Sequence, residues 1–117
     1  MIRLLVVDDQ EINQIVLVRI LNKLGYSATV ADNGIDAVEQ VGIYEYDLIF
    51  MDIDMPFMDG ISAAHIILTT ASHLPKIIAV TSHSGIEKKC MEVGMMDVIL
   101  KPITIDKIRT MLNKYLG

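Results

Sequence analysis

Five short aliphatic runs constrain this chain more than any other feature: Arg3–Val7, Ser27–Ala31, Asp47–Asp52, Lys76–Thr81 and Asp97–Leu100. All but Ser27–Ala31 have cores that are nearly unbroken apolar residues, chiefly Val, Ile and Leu, which suits strands covered on both faces rather than strands with one wet side. Each run is followed by turn chemistry and then by a segment with helical spacing. Strict alternation of strand and helix predicts an α/β fold, with a parallel sheet and helices on both faces in three layers. The 117 residues fit one such domain, 1–117, and contain no repeat, low-complexity tract or linker.

The helical segments carry recognisable stops and starts. Glu11 to Leu24 reads as a helix stopped by Gly25, with Ile12, Ile15, Val16, Ile20 and Leu24 at the period expected of a core stripe. Leu17, Val18 and Leu21 are then surplus apolar surface. Val18 shares a side with Glu11, Gln14 and Asn22, which marks that face as a docking surface for a helical partner. Asn33 suits the cap of a helix bearing Ala37, Val38 and Val41. After Gly60, the residues Ile61, Ala64, His65 and Leu68 recur at helical intervals, with His65 near the core edge. Ser84-Gly85-Ile86-Glu87 has the form of a capping box for a fourth helix, ended by Gly94. Thr104 suits the cap of the last, with Ile105, Ile108, Leu112 and Tyr115 on one side.

Composition narrows the function classes. A net charge of −5 and the absence of a basic tract argue against nucleic-acid binding. A single cysteine, Cys90, excludes an internal disulfide; it reads as a buried packing residue in a reducing compartment. No apolar run approaches a membrane span, and Met1-Ile2-Arg3 does not open a signal peptide, so a cytoplasmic location without membrane contact is expected. His65, His73 and His83 lack metal-ligand spacing.

The polar residues that interrupt the pattern share one location. Asp8 and Asp9 follow the first strand, Asp52 ends the third, Thr81 the fourth, and Lys101 follows the fifth. In open α/β sheets, ligands bind beyond the carboxyl ends of the strands. Clustered carboxylates repel one another, and a hard divalent cation with oxygen ligands, Mg²⁺ or Mn²⁺ in its place, relieves that repulsion. A carboxylate there can accept a phosphoryl group covalently. Lys101 supplies a point charge to the phosphoryl oxygens and the Thr81 hydroxyl a hydrogen bond. Asp59-Gly60 reads as a structural turn and helix start. Asp54 and His83, each two residues beyond Asp52 and Thr81, stand where they would gate water and tune dephosphorylation.

Asp8-Asp9, the run Asp52-Ile53-Asp54-Met55-Pro56-Phe57-Met58-Asp59-Gly60, Thr81-Ser82 and Lys101-Pro102 together resemble the receiver domain of two-component response regulators and hybrid histidine kinases. Glu11-Ile12-Asn13 leans the likeness toward the hybrid kinases. The resemblance implies a flavodoxin-like sheet in strand order 2-1-3-4-5 and a cis Lys101–Pro102 bond. It implies phosphorylation of Asp52 by a phosphohistidine on a histidine kinase or histidine phosphotransfer protein. Metal would be held by Asp9, Asp52 and the backbone carbonyl of Asp54, with Asp8 acting mostly through water. Such a domain is a signalling switch or relay whose chemistry is confined to its own phosphoryl group, either free-standing or part of a hybrid kinase. A monomer or weak dimer is expected, since no charge pairing marks a dimer face.

One position departs from the pattern. Receivers usually carry Tyr or Phe three residues before the lysine, where the ring turns inward as the hydroxyl residue moves; here the residue is Val98. This predicts a small conformational response or a relay role. Three alternatives stand beside the receiver reading. Asp52-Ile53-Asp54 resembles the nucleophile motif of haloacid-dehalogenase-like phosphohydrolases, although those enzymes place it on the first strand and their acidic pair last. A flavodoxin lacks support because no phosphate loop follows the first strand. A degenerate receiver used for protein contact alone conflicts with the intact acidic set.

Overall fold

The computed structural model describes all residues, Met1–Gly117. The chain runs β1 (Leu4–Val7), α1 (Glu11–Lys23), β2 (Ala28–Ala31), α2 (Gly34–Ile43), β3 (Leu48–Asp52), α3 (Gly60–Thr70), β4 (Lys76–Thr81), α4 (Glu87–Val93), β5 (Asp97–Leu100) and α5 (Ile105–Tyr115). All four strand pairings are parallel and the order is β2-β1-β3-β4-β5. The expected α/β flavodoxin-like topology is therefore present, and strand limits agree with the aliphatic runs to within one residue. No helix is long and apolar enough to cross a membrane.

The period-two pleat divides the aliphatic runs between two cores. Leu5, Val7, Ile49, Met51, Ile77 and Ala79 face one side, against Ala37, Ala63, Ala64, Ile67 and Cys90 of α2, α3 and α4. Leu4, Val6, Leu48, Phe50, Ile78 and Val80 face the other, against Leu17, Leu21, Ile108 and Leu112 of α1 and α5. Central strands β1 and β3 are buried throughout, whereas edge strands β2 and β5 are partly open. The edge run Ser27–Ala31 accordingly mixes Ala and Thr with its one Val.

The caps at Asn33 and Thr104 form as their residue types predict, accepting the N–H groups of Asp36 and Lys107. Three helix expectations are corrected. In α1 the buried residues are Leu17 and Leu21, while Ile12, Ile15 and Val16 are 64%, 38% and 40% exposed. Apolar residues surround so much of this helix that periodicity did not select a face. Val18 is half-buried against the second core, so the free apolar surface is the Ile12–Val16 side and not the Val18 side. In α3 the buried stripe is Ala63, Ala64 and Ile67, and His65 is exposed. The Ser84–Glu87 capping box does not form: Gly85 takes φ +88°, the turn unwinds there, and α4 starts after Ile86 with no side-chain cap.

Candidate functional site

The site lies where β1, β3, β4 and β5 end. Asp8, Asp9 and Asp52 place one carboxylate oxygen each within 4.8 Å of the others. Asp8 and Asp52 are buried and Asp9 is exposed. Asp8 serves no helix cap, because the N-cap of α1 is Gln10; instead its Oδ1 accepts the Gln10 N–H at 2.9 Å. Its backbone carbonyl accepts the Gln14 side-chain amide at 2.7 Å, and the same amide donates to Asp32 at 2.9 Å. Gln14 thus ties the end of β1 to the end of β2. The sequence placed Gln14 only on the polar side of the first helix, with no role at the site. The available signal was a polar side chain three and seven residues before the buried Leu17 and Leu21.

Across the cluster, Lys101 Nζ stands 3.6 Å from Asp52 Oδ1, and the Asp54 N–H donates to the same oxygen at 3.3 Å. The Lys101 N–H donates to the Thr81 carbonyl at 2.8 Å, which extends the β4–β5 ladder by one rung to the lysine itself. The Lys101–Pro102 bond is cis. Lys107 Nζ then binds the carbonyls of Leu100 and Pro102 at 2.7 and 3.0 Å, closing this turn against α5.

Burial, and next the neighbouring Asp8 carboxylate, pushes the Asp52 carboxyl up to about 6; Lys101 and the Asp54 N–H pull the other way without cancelling the rise. One lysine does not compensate three carboxylates. The donor set is all oxygen, tightly grouped and short of positive charge, which fits a hard divalent cation.

The loop beyond Asp52 is built by its glycine and its cap. Asp59 caps α3 through the Ser62 N–H at 2.9 Å and the Ser62 hydroxyl at 3.1 Å, the structural role expected of it. Gly60 does more than turn the chain. A Cβ on it would lie 2.2 Å from the Asp52 carbonyl oxygen and 2.9 Å from Ile53 Cα. The start of α3 rests directly on the backbone that carries the central carboxylate. Phe57 projects from the same loop, 95% exposed, with φ +67°.

The remaining predicted residues meet at one side of Asp52. Thr81 is fully buried, accepts the His83 N–H at 3.1 Å and directs its hydroxyl to Asp54 Oδ2 at 3.4 Å. His83 Nε2 lies 3.5 Å from that same oxygen. Asp8, Asp9, Asp52, Lys101, Asp54, Thr81 and His83 are thus linked by a chain of close contacts at these strand ends.

This arrangement coincides with a family pattern: the model of the response regulator receiver domain matches residues 4–113. The chain belongs to the receiver domain family. The hybrid signal transduction protein dokA of Dictyostelium discoideum is 40% identical over 116 residues, 97% of this chain but 7% of dokA. Two-component response regulator 24 of Arabidopsis thaliana is also 40% identical over 116 residues, 94% of this chain and 81% of that protein. Among solved structures, the receiver domain of sensor histidine kinase PA1611 from Pseudomonas aeruginosa, with magnesium coordinated in its active-site cleft, superposes with TM-score 0.89 at 33% identity, covering 98% of this chain and 97% of that one. The Ssk1 receiver domain of Saccharomyces cerevisiae, crystallised with the phosphotransfer protein Ypd1, gives TM-score 0.89 at 28% identity, covering 97% and 88%. The receiver domain is a signalling module of two-component systems, and membership sets aside the phosphohydrolase and flavodoxin alternatives.

Proposed function

We infer that residues 1–117 form one receiver domain in which Asp52 accepts a phosphoryl group from a phosphohistidine. The observation that carries this reading is the position of Asp52: buried beside Asp8, grouped with Asp9, and faced by Lys101 at 3.6 Å. An Asp52 carboxylate oxygen attacks phosphorus, an O–P bond forms, and the bond to the donor nitrogen breaks with its electron pair leaving on the imidazole. Asp9, Asp52 and the Asp54 carbonyl would hold Mg²⁺, with Asp8 in support; when bound, the ion neutralises charge on the phosphoryl oxygens. Lys101, 3.6 Å from Asp52 Oδ1, contributes a second positive charge. Thr81 donates its hydroxyl to a phosphoryl oxygen once the group is in place.

The donor is expected to be a helix-borne histidine on a kinase or phosphotransfer protein. Exposed Ile12, Ile15 and Val16 on α1 support that choice, since Val16 and Asn13 line a shallow groove with Lys101, Pro102 and Ile103 immediately beside the site. The Ssk1 receiver, which resembles this chain throughout, is bound by such a partner. The domain itself hydrolyses nothing but its own phosphoryl group. Val98, half-buried against the first core, leaves no aromatic ring to turn inward and favours a relay over a large surface switch.

Incubation with acetyl phosphate, followed by intact mass measurement, tests this reading. One phosphoryl mass is expected in Mg²⁺ and none in EDTA. No gain in Mg²⁺, or an equal gain in EDTA, would contradict it.

A further inference from the structure

The Asp54 side chain has no part in the transfer chemistry assigned above, which needs only its backbone carbonyl. It nevertheless sits against the Thr81 hydroxyl. Thr81 has a single hydroxyl hydrogen, and its oxygen already accepts the His83 N–H at 3.1 Å. The hydrogen is directed to Asp54 Oδ2 at 3.4 Å, and His83 Nε2 approaches that oxygen from outside at 3.5 Å. One hydrogen cannot serve Asp54 and a phosphoryl oxygen on Asp52 together.

We propose that the Asp54 carboxylate, steadied by His83, is a resting latch on Thr81: it occupies the hydroxyl hydrogen until a phosphoryl group on Asp52 competes for it. The inference rests on the reading of Asp52 as acceptor. Geometry separates this role from simple packing. The Asp54 and His83 side chains are 48% and 68% exposed, so neither fills a core. Both contacts are longer than the roughly 2.7–3.0 Å of a relaxed hydrogen bond. A contact of that kind breaks readily, as a latch must. Thr81, by contrast, is wholly buried and ends β4, so the hydroxyl moves by side-chain rotation while its backbone stays in the ladder. Whatever free energy the latch contributes at rest is subtracted from the phosphoryl-bound state, because a ligand shifts an equilibrium only by its differential affinity.

Asp54 and His83 are therefore positioning residues that act through Thr81. The test is the affinity of beryllofluoride, a phosphoryl mimic that binds the acceptor carboxylate, measured by calorimetry at saturating Mg²⁺. Asp54→Ala is expected to tighten binding about fivefold, the scale of one modest hydrogen bond. Asp54→Asn retains an acceptor oxygen and is expected to stay within about twofold of the native protein, so loss of charge alone is separated from loss of the acceptor. His83→Ala is expected to tighten binding by a smaller factor. In a Thr81→Ala background the effect of Asp54→Ala is expected to disappear. Equal tightening by Asp54→Ala and Asp54→Asn, tightening that persists without the Thr81 hydroxyl, or no tightening at all would overturn the latch. If the native protein binds beryllofluoride and Asp52→Asn does not, while the position-54 variants match the native protein, the latch fails and the acceptor reading stands. If the native protein binds none, both fall.

Discussion

Gly60→Ala is expected to destabilise the protein by about 3 kcal/mol or more and to slow phosphorylation at least about tenfold. The added methyl would meet the Asp52 carbonyl at 2.2 Å, a separation no pair of such atoms adopts. The conflict is with backbone, so no side-chain rotation relieves it. Either the start of α3 lifts from β3 or the end of β3 moves. The Gly60 N–H bond to the Ile53 carbonyl, 3.1 Å in the native protein, is lost in the first case. In the second case Asp52 is displaced from Asp8, Asp9 and Lys101. A small domain has a total stability of about 5–15 kcal/mol, so a large fraction disappears. Urea unfolding checks the first effect and the rate of adduct formation from acetyl phosphate the second. An unchanged unfolding midpoint would show that the two elements do not rest on each other as described.

Asp52→Asn is expected to stabilise the metal-free protein at neutral pH, even as it removes the acceptor. The Asp52 carboxyl is raised from 3.8 to about 6, first by burial and then by Asp8. An acid whose folded value is raised is harder to ionise in the folded state. Below about pH 4 it is protonated in both folded and unfolded chains, and its charge costs nothing. As pH rises from about 4 to 6 the unfolded chain ionises and the folded one resists, so stability falls; above about 6 the penalty is complete. A shift of this size corresponds to roughly 2–3 kcal/mol, which the asparagine avoids, and to a Tm increase of about 5–10 °C in EDTA at pH 7.5. The increase should shrink toward zero near pH 4. Added Mg²⁺ should narrow the gap at neutral pH, since the ion binds the ionised native site more tightly than the variant. A variant no more stable than the native protein at pH 7.5 would mean that Asp52 is not strained by its neighbours.

The parts of the fold written in single local patterns were legible from residues alone. The aliphatic runs marked every strand because central parallel strands admit little else. Asp8, Asp9, Asp52, Thr81 and Lys101 stood out because each interrupts such a run at the same end. Asn33 and Thr104 were legible as caps because one side chain and one nearby N–H suffice. What escaped depended on partners distant in sequence. The buried face of α1 could not be read from a helix apolar on nearly every side; the choice of Leu17 and Leu21 is made by β1, β2 and α5. Tyr115 belonged to an apolar stripe by its spacing, yet its hydroxyl donates to Asp97 at 2.7 Å, where Lys114 also binds, and anchors α5 to the start of β5. Gln14 gave a weak signal, and Gly60 gave the signal of an ordinary turn, because the backbone it touches is eight residues earlier and in another element.

The central claim is that Asp52 itself carries the phosphoryl group. An acyl phosphate is reduced by borohydride to an alcohol, which converts a phosphorylated aspartate to homoserine and leaves free carboxylates unchanged. Treatment of the protein with acetyl phosphate and Mg²⁺, then borohydride, then peptide mass mapping, reads the position directly. Homoserine at position 52, and at neither 8, 9 nor 54, is the predicted result. Homoserine at one of those other aspartates, or at none of them while an adduct persists elsewhere on the chain, would contradict it.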